Sequence, residues 1–277
     1  MSDKPSKQLP KKQNQELSFW DHLDVLRFAL MRSLIAITVL AIGAFYYTSF
    51  IYDSVILGPM SPDFISNKLF CRLSEIVNIS TLCINQHPVD LNNFEMAGQF
   101  TSNLLIVFVA GLIVAMPYVL TELWLFIRPA LTLKERKGTR GFVVVTSFLF
   151  LLGISFGYFI VTPLAVNFLL NWTISPDIHN TIRLGSYIRT VVMTSLSAGL
   201  VFELPVIIYF LAKAGIVTKS LLKEYRKHAI VGFFILSAVI TPPDMISQFL
   251  VAMPLISLYE ISIIITGRVE RKRVKDL

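Results

Sequence analysis

Three glutamates lie inside or beside strongly apolar stretches of this sequence, and they are the first candidates for chemistry. Glu203 interrupts the run LVFELPVIIYF at residues 200–210, and Glu260 and Glu122 have similar surroundings. An ionisable group in hydrocarbon costs several kcal/mol unless it faces a cavity or a partner, so each is a candidate functional residue. Glu122 is near one end of its stretch, where its side chain can extend to the surface. Pro205 loosens the helix at Glu203, which makes Glu203 the strongest candidate.

The remaining reactive side chains form no recognisable catalytic or metal-binding pattern. The four histidines are scattered and lack metal-ligand spacing: His22, His87, His179 and His228. The sequence has no nucleophile elbow, Walker loop or glycine-rich dinucleotide turn. We therefore expect a protein that is not an enzyme and that needs no cofactor and no metal.

The amino-acid composition indicates whether these glutamates are surrounded by water or by lipid. Hydrophobic residues make up 54% of the 277 residues and charged residues only 16%, which are respectively above and below the shares in a soluble domain. The sequence therefore predicts an all-α, polytopic membrane protein. The N-terminal tail carries both signs of charge and no small-residue cleavage site follows, so we interpret the first apolar stretch as a spanning helix rather than a removed signal peptide.

Apolar stretches long enough to span a bilayer divide the chain. Four are long, and two weaker ones follow, so we expect six transmembrane helices, at about residues 33–50, 103–126, 142–164, 190–211, 229–240 and 249–266. The fifth stretch would be only about 18 Å long as a helix. Pro242 and Pro243 end that helix, so we expect a short final helical hairpin in a locally thinned bilayer.

The basic residues predict the orientation of these helices. Most of the 25 Lys and Arg residues fall in alternate connections, at residues 1–32, 127–141, 212–228 and 267–277. The positive-inside rule then places both termini in the cytoplasm. The formal charge of +7 is therefore explained by the basic connections on one side of the membrane. A nucleic-acid partner is not expected, because the sequence has no basic stripe with interleaved aromatic residues.

Both cysteines, Cys71 and Cys83, fall in the connection 51–102, which this topology places outside the cytoplasm. An oxidising compartment permits a disulfide between them, and two unpaired thiols in a half-buried loop are the alternative. Turn-forming residues in the same connection predict a partly ordered cap rather than a separate domain.

Five segments together resemble one known family, that of TatC, the multi-spanning receptor subunit of the twin-arginine protein translocase. In order, they are FWDHLDVLR (19–27), LWLFIRPALTLKERK (123–137), FGYFIVTPLA (156–165), FELPV (202–206) and ITPPDMISQFLVAMPLISLYE (240–260). The resemblance covers about residues 18–267. It implies a flexible tail at 1–18, a six-helix membrane domain at 19–267 and a basic tail at 268–277.

The resemblance also implies a function. TatC proteins bind the paired arginines of a signal peptide on a folded cargo protein and recruit the single-span partners TatA and TatB. Export is then driven by the proton-motive force. We accordingly expect a multi-pass protein of the bacterial cytoplasmic (inner) membrane that contacts lipid and forms homo-oligomers in a receptor complex.

Carboxylates suit the recognition of arginine, because a guanidinium forms charge-assisted hydrogen bonds with them. Glu135 matches the family's carboxylate in the cytoplasmic loop. At the second position the usual glutamate is replaced by Val25, and the acid is Asp24, about 100° further round a helix. The resemblance therefore assigns signal-peptide binding to Glu135 and Asp24, with Asp21 and Arg27 of the same motif.

For Glu203 the resemblance implies a place on a concave surface that faces the membrane, where it meets a polar residue of a partner helix. Burial disfavours the charged carboxylate, so we expect the neutral acid when no partner is bound. Asp244 and Gln248 match polar positions of the family and are expected either to fix the final hairpin or to extend the partner surface.

Two other functional classes stay open on the residues alone. A secondary transporter or channel would use Glu203 and Glu260 as an ion path, although the sequence shows no repeated halves with matched broken helices. A membrane-embedded hydrolase is a weaker alternative, because no nucleophile and base motif is found.

Overall fold

A computed structural model of the chain describes residues 19–78, 83–85, 90–127, 141–175, 177, 180–241 and 245–275. These residues are mainly helical, and the expected all-α class is confirmed. Ten helices are numbered here: α1 (Phe19–Tyr46), α2 (Ile65–Val77), α3 (Gly98–Ile127), α4 (Phe142–Phe156), α5 (Thr162–Asn171), α6 (Leu184–Val201), α7 (Leu204–Lys213), α8 (Lys219–Glu224), α9 (Arg226–Ile240) and α10 (Met245–Lys275).

Shorter elements connect these helices. Single helical turns follow α1 and separate α4 from α5, at Thr48–Phe50, Ile51–Ile56, Gly58–Met60 and Gly157–Val161. Two strands of two residues, β1 (Leu91–Asn92) and β2 (Ile182–Arg183), pair in parallel. Beside them the Arg183 guanidinium lies 3.2 Å from the Glu95 carboxylate. The strand pair therefore joins the connection before α3 to the connection before α6.

Within the described residues, five helical segments are long and apolar enough to cross a membrane: Leu23–Tyr46, Gly98–Ile127, Phe142–Asn171, Leu184–Lys213 and Ser247–Arg271. The fifth predicted span, 229–240, corresponds to α9, whose 15 residues reach only about 22 Å as a helix. This length is short of the roughly 30 Å hydrocarbon core. The chain is therefore a polytopic helical membrane protein with five full-length spans and one short helix.

Two helices extend beyond the predicted spans. The helix that contains the first span begins at Phe19, well before residue 33, and Arg27 and Arg32 do not end it because their long side chains can extend toward water. In the final hairpin only α9 is short, since α10 runs for 31 residues to Lys275. The charged residues in the C-terminal part of α10 are Glu, Arg and Lys, which are good helix formers. The helix therefore continues beyond the point where its apolar stretch stops.

The third and fourth spans are each interrupted near the middle. The third contains the π-helical turn Gly157–Val161 between α4 and α5. In the fourth, α6 ends at Val201 and α7 begins at Leu204, with Pro205 in its first turn. A proline denies its nitrogen as a donor to the preceding turn, so the loosening predicted at Glu203 is confirmed.

Small residues let the spans approach closely. A Cβ on Gly111 of α3 would lie 2.6 Å from the backbone nitrogen of Ala41 in α1. A Cβ on Gly157 would lie 2.8 Å from Cβ of Ala198 in α6. Close packing of this kind drives helix association in membranes. Lipid tails are as apolar as large side chains, so burying those side chains between helices adds no hydrophobic driving force. Large apolar side chains such as Ile35 and Val239 are left exposed on the outer faces of α1 and α9.

The connection between α1 and α3 forms the cap that its turn residues predicted. It contains α2, and Cys71 of α2 is disulfide-bonded to Cys83. Asn85, two residues later, is buried. Its side-chain amide donates to the carbonyl oxygens of Pro59 and Pro163 at 3.1 Å each. The cap is therefore fixed to the third span by hydrogen bonds as well as cross-linked to itself.

Candidate functional site

Glu203 lies in the break between α6 and α7 and is only 8% exposed. Its backbone carbonyl accepts hydrogen bonds from the amides of Val206 at 3.0 Å and Ile207 at 3.1 Å. Its carboxyl oxygens have no hydrogen-bond partner among the described residues. A buried acid without a partner is costly, so this group can gain free energy from a polar residue brought to it.

The residues around Glu203 fix its position in the break. Phe202 is buried, and a Cβ on Gly153 would lie 2.7 Å from its Cβ. The Phe202 ring also packs against Phe156, with ring centroids 5.6 Å apart. Because Phe202 and Pro205 are both buried, the chain on either side of Glu203 is held and the carboxyl cannot easily move to the surface.

An apolar groove of about 780 Å³ opens next to this aromatic contact. Its walls come from the third span and from α10, with Phe156, Ile160, Met245, Phe249, Leu250, Met253 and Pro254 as lining residues. Gln248 of α10 donates from Nε2 to the carbonyl oxygen of Phe234 at 3.0 Å. Gln248 thus ties α10 to α9, and Asp244 lies outside the described residues, so the choice between a hairpin role and a partner surface stays a prediction.

Glu260 is placed differently from Glu203. Its carboxylate lies 2.5 Å from Nε of Arg226, the first residue of α9. Nearby, the Tyr259 hydroxyl donates to the carbonyl oxygen of Leu222 at 2.8 Å, and Glu270 accepts from the amide of Lys219 at 2.8 Å. These contacts connect α8 and α9 to α10, so Glu260 is paired, whereas Glu203 has no described partner.

Glu122 is buried, which corrects the interpretation that its side chain extends to the surface. The residue is 6% exposed, and its Oε1 accepts a hydrogen bond from the Tyr118 hydroxyl at 2.7 Å. Its Oε2 lies 3.7 Å from a guanidinium nitrogen of Arg32 in α1. Packing between α1 and α3 encloses the carboxylate, and Arg32 supplies a charge that lowers the cost of enclosing it.

The N-terminal motif lies at this same end of α1 and α3. Asp24 and Arg27 are exposed on α1, and Asp21 belongs to the same helix. Val25, at the position of the family glutamate, lines a groove of about 180 Å³ with Phe28, Ala29, Arg32, Glu122, Leu125 and Phe126. Glu135 lies outside the described residues, so its distance from this groove stays a prediction.

The structure thus groups the candidate residues into two regions. The motif of α1 adjoins Glu122 at the end of α3, and Glu203 lies in the broken fourth span near an apolar groove. Sequence reasoning missed Arg32 and Tyr118 as partners of Glu122. Tyr118 could have been found from its spacing of four residues on one helix, whereas Arg32 lies in a different span. In the described parts of the chain, no group of His, Cys, Asp and Glu residues could hold a metal ion.

Comparison with known sequences shows which family has this arrangement. A sequence model described as TatC, Sec-independent protein translocase protein, matches residues 21–254. The TatC protein of Blattabacterium sp. subsp. Periplaneta americana is 37% identical over 265 residues, which are 95% of this chain and all of that protein. That of Helicobacter pylori strain 26695 is 34% identical over 249 residues, 90% of this chain and 87% of the relative.

Solved structures agree with the sequence relatives. Two crystal structures of the twin arginine translocase receptor TatC, one of them in the detergent DDM, have TM-scores of 0.69 and 0.70 to this chain. Their sequence identities are 30% and 31%, and they cover 90% and 89% of this chain and 99% of each receptor chain. The match to the family and to its folded members extends over most of the sequence: the chain belongs to the TatC family of Sec-independent protein translocase proteins.

Proposed function

We propose that this chain is the signal-peptide receptor and core subunit of a twin-arginine translocase, which exports folded proteins using the proton-motive force. The observation that carries the proposal is the likeness to crystal structures of twin arginine translocase receptors, which extends over 99% of each receptor chain. Membership of a translocase family already gives the chain a transport role in a membrane rather than a catalytic one.

Recognition of the paired arginines is assigned to the end of the protein that carries the N-terminal motif. Asp24 is exposed there and can bind a guanidinium that approaches from water. Glu135, with Asp21 and Arg27, completes the proposed site. This assignment is supported by the match of both motifs to the family and by the carboxylate chemistry that a guanidinium requires.

Docking of single-span partners of the TatA and TatB type is assigned to the region of Glu203. The buried carboxyl has no described hydrogen-bond partner, so a polar residue in a partner helix would satisfy it. The apolar groove between the third span and α10 offers a surface for the rest of such a helix. Association of several copies of this chain with these partners would form the receptor complex.

The proposed location is the bacterial cytoplasmic membrane, with both termini in the cytoplasm. Its support is the concentration of Lys and Arg in alternate connections. The proposed topology puts the α1 motif and Glu135 on the side from which a newly made cargo protein arrives. The disulfide of the cap lies on the opposite, oxidising side.

Site-specific photocrosslinking tests the receptor function. A photoreactive amino acid at position 135 should crosslink to a signal peptide with paired arginines and much less to the same peptide with paired lysines. A matched probe at exposed Ile76 of the cap should give no crosslink. Equal crosslinking of both peptides, or solute flux through liposomes that contain this chain alone, would contradict the proposal and favour a transporter.

A further inference from the structure

A second carboxylate is available for arginine recognition in the groove beside Val25. Glu122 lies in the wall of this groove, which has a volume of about 180 Å³. The volume is several times the roughly 30 Å³ that one water molecule occupies in the liquid, so the groove can admit a side chain. The family glutamate is absent at Val25, but the cavity next to that position still contains an acid.

Glu122 has unused capacity to accept hydrogen bonds. A carboxylate has about four acceptor sites, and among the described residues Glu122 accepts one hydrogen bond, from Tyr118 at 2.7 Å, and forms the ion pair with Arg32. The 3.7 Å between Arg32 and Oε2 is longer than a hydrogen bond between nitrogen and oxygen, which is at most about 3.2 Å. A donor placed closer to Oε2 would therefore bind it more strongly than Arg32 does.

Arg32 itself loses little when it leaves this contact. Its side chain is 62% exposed, while that of Glu122 is 8% exposed. A guanidinium that is mostly in water loses little solvation when it turns away from its partner, and exposed ion pairs contribute little free energy. Glu122, in contrast, stays buried, so its cost without a cation is high and it retains an attraction for a replacement cation.

The apolar wall of the groove also suits an arginine side chain. Arginine buries its aliphatic part against apolar groups and directs its guanidinium to a polar one. Val25, Phe28 and Leu125 supply apolar surface, and Glu122 supplies the acid. With valine at position 25, the carboxylate that lines the groove is that of Glu122.

We propose that Glu122 is a guanidinium-binding carboxylate of this chain and that one arginine of the signal peptide enters the groove and replaces Arg32. This inference rests on the proposed receptor function and adds a binding residue to it. Arg32 then acts as a competitor that neutralises Glu122 until the peptide arrives.

Peptide binding to the full-length protein in lipid nanodiscs tests the inference. Four fluorescent signal peptides are compared, with Arg-Arg, Lys-Arg, Arg-Lys and Lys-Lys at the paired positions. Glu122→Gln should weaken Arg-Arg binding by about tenfold, and it should remove the preference for arginine at only one of the two positions. Arg32→Gln should bind the Arg-Arg peptide as tightly as the wild type or more tightly. Glu95→Gln, which breaks the ion pair with Arg183 outside this region, is the control and should change nothing.

The results separate this inference from the receptor function. A wild-type protein that binds Arg-Arg no better than Lys-Lys would overturn the receptor function itself. Normal discrimination by both the wild type and Glu122→Gln would overturn only the role of Glu122. An equal loss in Arg32→Gln and Glu122→Gln would show that the ion pair is structural. If Glu122→Gln does not fold, Ala29→Leu narrows the groove without a change of charge, and undiminished binding by that variant would also reject the proposal.

Discussion

Gly153 of α4 lies so close to Phe202 that a Cβ on the glycine would be 2.7 Å from the phenylalanine Cβ and 2.8 Å from its Cγ. Phe202 directly precedes Glu203. The contact therefore holds the end of α6 against the third span at the point where the fourth span breaks. It fixes where the buried carboxyl is presented.

A methyl group at position 153 should disturb this contact. Gly153→Ala must displace Phe202 or separate the two helices, because side-chain Cβ atoms do not approach to 2.7 Å. Overpacking of this kind costs about 1–3 kcal/mol. We expect lower thermal stability in nanodiscs and weaker crosslinking to the single-span partner. Gly232→Ala in α9 is the control, since no atom lies within 4 Å of its Cβ position, and a stability loss of equal size there would contradict the argument.

The docking role of Glu203 predicts an order among its variants. Glu203→Ala should leave signal-peptide binding intact but reduce partner crosslinking and export of cargo. Glu203→Gln keeps a donor and an acceptor, so it should be the milder change if the working form is a neutral acid hydrogen-bonded between helices. Such a bond contributes on the order of 1 kcal/mol. Crosslinking and export are measured in parallel for both variants.

A proton-relay role of Glu203 gives a different result. Neither alanine nor glutamine can exchange a proton, so both variants would lose export equally while partner crosslinking stayed normal. If neither variant changed crosslinking or export, Glu203 would have no functional role and would be only a buried acid beside the break at Pro205.

The carboxylates of the proposed peptide site should contribute unequally. We expect Glu135→Gln to abolish export of twin-arginine cargo with little change in abundance, because the sequence predicts Glu135 in a connection between spans, where a carboxylate adds little to folding. Asp24→Asn should weaken peptide binding less, since Asp24 is displaced by one residue from the family position. Binding of an Arg-Arg peptide to each variant is the measurement. Elimination of binding by Asp24→Asn alone would show that Asp24 is the true equivalent of the family glutamate.

Restoring the family residue should not harm recognition. Val25→Glu places a carboxylate at the rim of the groove that also contains Glu122, and it adds an acceptor for a second guanidinium. We expect Arg-Arg peptide binding that is equal to or tighter than that of the wild type. Val25→Gln, which has the same length without the charge, is the matched control. Tighter binding by Val25→Gln as well would indicate that shape rather than charge is responsible.

The disulfide of the cap should affect stability more than recognition. Cys71 and Cys83 are 12 residues apart, and closing a loop of similar length stabilises a protein by up to about 3 kcal/mol. Cys83 also precedes the buried Asn85, whose amide binds Pro163. Cys71→Ser with Cys83→Ser should therefore lower the thermal unfolding temperature, with peptide binding unchanged at low temperature. The same loss after mild reduction of the wild type is the control, and an unchanged unfolding temperature would contradict the role.

The sequence by itself determined the long apolar helices and the break at Glu203, although not the π-helical turn Gly157–Val161 of the third span. Long apolar stretches predict spans because the bilayer core has a fixed thickness, and a proline such as Pro205 can break a helix because its nitrogen cannot donate to the preceding turn. Pro117 and Pro254, in contrast, lie inside continuous helices. These are local effects, so they can be predicted from neighbouring residues. The short α9, the broken fourth span and the cap between α1 and α3 all follow from them.

Contacts between distant residues were decided only by the tertiary structure. Glu122 at the end of a span is compatible with a side chain that extends into water, and the packing of α1 against α3 instead buries it beside Arg32. In the same way, Glu260 acquires a partner in Arg226, whereas Glu203 has none among the described residues. Local sequence singles out Glu203 through Pro205, but it cannot show which charge each of the three glutamates faces. A facing charge comes from an element far away along the chain, and the cost of a buried carboxylate depends on that charge.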